Sequence, residues 1–98
     1  MASYTGSVIR SCRDKETEKL LNNIPNGKFQ SIERPARVKL AALMSAATLR
    51  DLSIPGMRLE KLSGSRRGQY SIRINDQYRI CFEWRDDDAY EVEVTDYH

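Results

Sequence analysis

Residues 69 to 84 read QYSIRINDQYRICFEW, two alternating apolar runs on either side of a short polar turn. Alternation with a period of two marks strands that bury one face, and two such runs this close in sequence demand an antiparallel hairpin. The apolar residues decide its register. A two-residue turn at Asn75-Asp76 pairs Ile74 with Gln77 and Ile72 with Arg79, which sets the apolar face of one strand on the polar face of the other. A three-residue loop, Asn75-Asp76-Gln77, instead pairs Ile74 with Tyr78, Ile72 with Ile80 and Tyr70 with Phe82, all on one side. That register also places Arg73 directly opposite Arg79 on the other side.

A third run, 89 to 97, extends the meander. With Asp86-Asp87-Asp88 as its turn, Trp84 is expected to meet Tyr90, Phe82 to meet Val92 and Ile80 to meet Val94. Thr95 then falls opposite Arg79, and Tyr97 opposite Gln77, on the arginine face. Leu59 and Leu62 suggest a short additional strand, followed by the polar loop Ser63 to Gly68.

Upstream the period changes to that of a helix. Asp14 to Asn23 carries a capping aspartate, Glu16 and Glu18 in the first turn, and Leu20, Leu21 and Ile24 on an apolar side. Pro25-Asn26-Gly27 breaks it. ERPARVKLAALMSAATLRDL, residues 33 to 52, predicts a longer helix with a stripe of Leu40, Leu43, Met44 and Ala47, widened by Val38, Ala41 and Ala42. Pro35 must sit in its first turn. Residues 7 to 10 suggest a short strand around Val8 and Ile9. Helices followed by a strand meander predict an α+β fold, with the N-terminal helices packed on one face of a mainly antiparallel sheet.

A chain of 98 residues has room for one core, expected over residues 8 to 98, with MASYTGS (1 to 7) read as a disordered or expression-derived start. Apolar residues make up 40% and charged residues 31%, and no run reaches the roughly 20 apolar residues of a membrane span. No leader pattern is present, so the cytoplasm is the expected location and no membrane role is expected. Cys12 and Cys81 have no ligand-like spacing and, without a secretory signal, no expected disulfide. One histidine makes a protein metal cage unfavourable, and no glycine-rich phosphate loop points to a cofactor, so neither metal nor cofactor is expected.

The net charge of +2 conceals an uneven distribution. Gly56 to Arg85 holds seven Lys or Arg (Arg58, Lys61, Arg66, Arg67, Arg73, Arg79 and Arg85) against three acids, whereas Asp86 to the end holds six acids and no Lys or Arg. Charge alone favours solvated charge on unrelated faces over a polyanion site. The Arg73–Arg79 pairing sharpens the question, because like charges opposite one another on a sheet are destabilising. Together with Arg66, Arg67 and the terminal Asp96-Tyr97-His98, the pair gathers anion-binding and proton-transfer groups on one patch. A phosphodiester suits paired guanidinium groups.

The string RLEKLSGSRRGQYSIRINDQYRICFEW, with VEVTDYH at the end, resembles the HigB toxins of bacterial toxin–antitoxin pairs, within the RelE/ParE superfamily. The resemblance runs from about Val8 to His98 and leaves out residues 1 to 7. It implies a RelE-like fold and a ribosome-dependent mRNA endonuclease that arrests growth. It also implies neutralisation by a HigA-like helix-turn-helix antitoxin, whose complex with the toxin binds operator DNA. Asp96, Tyr97 and His98 match the family's terminal catalytic trio, and Arg79 matches an arginine of its active face; Arg73 joins them as a candidate. At Glu60 and Ser63 other characterised members carry a histidine and a lysine. Lys61, Arg66, Arg67 or Arg73 is a candidate for the missing cation, and Glu60 for the missing base. The departure leaves room for a weakly active or non-enzymatic relative, either a gyrase poison or an antitoxin-binding module. For antitoxin contact the candidates are the Asp86 to Asp88 turn and the helix surface bearing Arg34, Arg37 and Lys39.

Overall fold

Asp14 decides where the first helix starts. In the computed structural model, which describes residues 8–25 and 27–97, its carboxylate accepts a hydrogen bond from the Thr17 amide at 3.3 Å. Helix α1 then runs Lys15–Leu21, with Glu16 and Glu18 where the helix dipole favours negative charge. Thr17 and Leu20 are buried. The helix ends at Asn22, and Asn23 turns left-handed at φ 63. Ile24 is thereby carried off the apolar side where the sequence pattern put it, and is 47% exposed.

Helix α2, Glu33–Ser45, has Pro35 in its first turn, where no intrahelical amide is lost. Ala36, Leu40 and Leu43 form the buried stripe, while Val38 and Ala47 face solvent. The pattern predicted a helix to Leu52; the helix stops at Ser45. The Asp51 carboxylate accepts from the amides of Ala47 (2.8 Å) and Thr48 (3.0 Å), so the chain turns at an extended Ala46. A short 3-10 turn, Leu49–Leu52, follows and drops Leu52 into the core. The bonds from Thr48 and then Ala47 hold the Asp51 carboxyl below its ordinary range.

The sheet has four strands in the order β1-β2-β3-β4, each antiparallel to its neighbour. They are β1 Glu60–Lys61, β2 Gln69–Arg73, β3 Tyr78–Arg85 and β4 Asp88–Asp96. The expected strand near Val8 and Ile9 is reduced to two isolated parallel bridges, Ile9 with Ala89 and Cys12 with Val92, which cover part of the outer edge of β4. Just beyond them, Thr17 Oγ1 accepts the Val94 amide at 2.9 Å, so α1 closes the next stretch of that edge.

The hairpin adopts the expected register: Tyr70 faces Phe82, Ile72 faces Ile80 and Arg73 faces Arg79. Ile72, Ile80 and Phe82 have no exposed surface and pack under the helices. A one-residue slip would expose each of them at about 1.5–3 kcal/mol apiece. Facing like charges cost only about 0.2–1 kcal/mol. The core wins, and the arginines emerge together.

The next turn differs from expectation. Asp86 and Asp87 alone form it, both left-handed at φ 51 and 62, the geometry of a two-residue hairpin loop. Trp84 therefore faces Ala89, not Tyr90, and Glu83 faces Tyr90. A bulge opposite Cys81 to Glu83, with Glu91 at φ 54, absorbs the extra residue and restores Ile80 to Val94 and Arg79 to Thr95 as expected. Ala89 and Val92 both reach the core as a result.

The bond between Thr17 and Val94 joins helix layer to sheet edge in a place closed to water. Replacing Thr17 by Val keeps the shape and orphans the amide, so Thr17→Val is expected to lower unfolding free energy by about 1–3 kcal/mol in urea denaturation.

Candidate functional site on the open sheet face

Alternation fixes which residues leave the sheet on the side away from the helices: Gln69, Ser71 and Arg73 on β2, and Arg79, Cys81 and Glu83 on β3. The two arginines are managed differently. Arg73 forms an ion pair with Asp76, three residues on in the loop. Arg79 has no carboxylate partner among the described residues. Its guanidinium carbon lies 5.1 Å from the centroid of the Tyr97 ring, a cation–π contact. Its Nε is closed to water and makes no hydrogen bond.

Behind Arg79 lie two short side chains, Ser71 and Cys81, each 1% exposed. Longer residues roof them. Arg66, from the 3-10 turn Gly64–Arg66, donates to Gln69 Oε1 at 2.9 Å and pairs with Glu93 at 3.2 Å. Ser71 Oγ is buried without a partner. Burial pushes the Cys81 thiol up, while the charges of Arg66 and Arg79 pull the other way. The face thus holds a charged guanidinium and a hydroxyl with unused hydrogen-bonding capacity, which buried polar groups rarely retain.

Pairing continues one residue past β4. The Tyr97 amide donates to the Gln77 carbonyl at 2.8 Å, which seats Tyr97 on the arginine face, at its expected place opposite Gln77. Asp96 lies opposite Tyr78, whose ring packs edge-on against Phe29 on the helix side. Its backbone position therefore alternates away from Arg79, and its carboxylate accepts from Gln77 Nε2 at 3.0 Å. His98 lies outside the described residues. Glu60 stands opposite Ser71 at the edge of the open face, whereas Lys61 stands opposite Tyr70, a position on the helix side; both are exposed. Arg67 is exposed, unlike Arg66 beside it.

The structure therefore brings Arg73, Arg79, Arg66 and Tyr97 together, keeps Glu60 at the edge, and leaves Lys61, Arg67 and Asp96 to one side. Ser71 and Cys81, small residues inside a strand pattern, gave no separate signal in the sequence. Tyr90 also arrives on this face, because the two-residue turn pairs it with Glu83 instead of Trp84. A concavity of about 430 Å³ lies elsewhere, beside Arg34, Arg37 and Val38 on α2.

A family model described as RelE-like toxin of type II toxin-antitoxin system HigB matches residues 11–98. The chain belongs to the HigB-like family. Toxin HigB-1 of Vibrio cholerae serotype O1 (strain ATCC 39315 / El Tor Inaba N16961) is 47% identical over 57 residues, which cover 57% of this chain and 60% of that protein. Endoribonuclease HigB of Proteus vulgaris is 33% identical over 60 residues, covering 61% of this chain and 65% of that one. The matched segment of this HigB-like chain thus spans under two thirds of either relative. The solved structure titled YoeB-YefM complex from Staphylococcus aureus superimposes with a TM-score of 0.60 at 21% identity, covering 92% of this chain and 94% of the other, and shows the shared fold. Among the described residues no helix is long and apolar enough to cross a membrane.

Both cysteines are free. Burial, then the charges of Glu18, Asp14 and Glu91, pushes the Cys12 thiol up to about 12. A disulfide reagent near neutral pH is expected to modify neither thiol in the folded chain and both after unfolding in guanidinium. Rapid native reaction at Cys81 would contradict the roof of Arg66 and Arg79 over it.

Proposed function

We propose that this chain is the toxin of a toxin–antitoxin pair, an endoribonuclease that cuts messenger RNA on the ribosome at the face bearing Arg79. The observation that carries the reading is Arg79 itself: its strand register sets it beside Arg73, with no carboxylate to neutralise it among the described residues and Tyr97 against it. A polar charge so placed has capacity for an anion, and the family relative from Proteus vulgaris bears the name endoribonuclease.

The chemistry follows from RNA. Its 2′-hydroxyl is the nucleophile, which excludes DNA. The 2′-oxygen bonds to the adjacent phosphorus, the bond from phosphorus to the 5′-oxygen breaks, and the products are a 2′,3′-cyclic phosphate and a 5′-hydroxyl. One proton leaves the 2′-hydroxyl and one reaches the departing 5′-oxygen. His98 is the group we assign to proton transfer, since imidazole is the side chain ordinarily able to exchange protons near neutral pH. Arg79 and Arg73 meet the charge that grows on the phosphoryl oxygens. Tyr97 positions the phosphate or stacks on a base. Asp96 acts through Gln77 and the chain end and touches no substrate. Arg66 takes the place of the cation absent at Ser63, since it already lies over the face. Glu60, opposite Ser71, is the carboxylate able to accept a proton from that edge. The ribosome holds the message in line, which lets a sparse site suffice.

A HigA-like helix-turn-helix protein is the proposed antitoxin, and the pair together binds operator DNA. That the structural neighbour was solved as a complex of YoeB with YefM supports a protein partner for this fold.

Expression without antitoxin, followed by primer extension on cellular transcripts, tests the reading. The parent chain is expected to arrest growth and leave breaks within translated messages. Arg79→Ala is expected to lower cleavage by about 10²–10³-fold, and His98→Ala to abolish arrest. Growth arrest without breaks would point to a gyrase poison, and no arrest at all to an antitoxin-binding module.

A further inference from the structure

The bulge in β4 does more than correct a register. Together with the two-residue turn it holds Tyr90 on the open face opposite Glu83, where the Arg85 guanidinium carbon sits 3.9 Å from the ring centroid. This is a second guanidinium-on-phenol stack on the same face as Arg79 and Tyr97. Arg85 and Arg79 are six residues apart on β3, a distance of about 20 Å. Arg66 lies between the two stacks, held by Gln69 and Glu93. Of the neighbouring acids, Glu83 pairs with Arg85 at 3.6 Å, Glu93 with Arg66, and Asp88 with Arg10 at 3.2 Å, whereas Asp86 and Asp87 in the turn are exposed. The Arg85 side chain nevertheless stays 60% exposed, so its outer side is open.

We propose that Tyr90 and Arg85 form a base-stacking position for the same single-stranded RNA whose scissile phosphate sits at Arg79, which rests on the reading above. A span of about 20 Å is roughly three extended nucleotides. Aromatic and guanidinium planes accept any base by stacking, and cations between them track the backbone. The position therefore holds the message at a distance from the chemistry without choosing its sequence. The turn at Asp86 and Asp87 sets Tyr90 opposite Glu83, and the bulge at Glu91, φ 54, lets it stay on the open face while Val92 and Val94 return to the core.

The test is fluorescence anisotropy with 2′-O-methyl RNA, which cannot be cut, as a hexanucleotide and as a dinucleotide. The parent chain is expected to bind the hexanucleotide more tightly. Tyr90→Ala is expected to weaken the hexanucleotide by about fivefold or more and leave the dinucleotide unchanged, which also shows that the variant is folded. Tyr90→Phe keeps the ring and is expected to bind as the parent does. Arg79→Ala weakens both oligomers. Tyr90→Ala binding the hexanucleotide as the parent does, while Arg79→Ala weakens both, overturns the stacking position and spares the catalytic face. An Arg79→Ala variant that binds both unchanged overturns the catalytic face instead. Equal parent affinity for the two oligomers, or none for either, also overturns the proposal.

Discussion

Burial of Ile72, Ile80 and Phe82 beneath two helices is the constraint on which the rest of the sheet depends. Side chains in a strand alternate, so choosing the inner set chooses the outer set with it. The free energy of hiding three large apolar groups far exceeds the repulsion between Arg73 and Arg79. A fold stabilised on one side can thus hold an unfavourable arrangement of charge on the other. Two local devices soften the conflict: Asp76 takes Arg73, and the Tyr97 ring takes Arg79. Only the first supplies an opposing full charge, so the second arginine keeps its capacity for an anion.

The same logic links the ends of the chain. Tyr97 reaches Arg79 because β4 pairs with β3 to its last residues, while Thr17 and the segment around Ile9 and Cys12 cover its other edge. A helix cap near the start of the chain, at Asp14, therefore helps position a side chain near its end. Family membership is given by a match over residues 11–98, which takes in both the helices and the whole sheet.

Much of this was legible in the sequence. The pairing of Arg73 with Arg79 followed from period-two alternation, since only one loop length kept the apolar residues together. Other features were illegible for definite physical reasons. The pattern ATLRDL continues a helix, but Asp51 takes two amides and ends it, a competition that periodicity does not record. Two adjacent loop arginines look alike, yet Arg66 folds over the face while Arg67 stays out. Tyr90 was assigned to the core because a bulge changes the spacing of inward residues from two to three, as between Ala89 and Val92, and its position depends on a backbone angle that no side chain announces. The terminal DYH motif was apparent at once, whereas the retreat of Asp96 toward Gln77 required the register of β4.

The most direct measurement of the central claim is a crystal structure of the chain with uridine–vanadate, a mimic of five-coordinate phosphorus. The account predicts vanadate oxygens within hydrogen-bonding distance of the Arg79 and Arg73 guanidinium groups, with the Tyr97 ring alongside. Vanadate seated on Arg34 and Arg37 of α2 instead, or an Arg79 turned away from Tyr97 toward the helices, would contradict it.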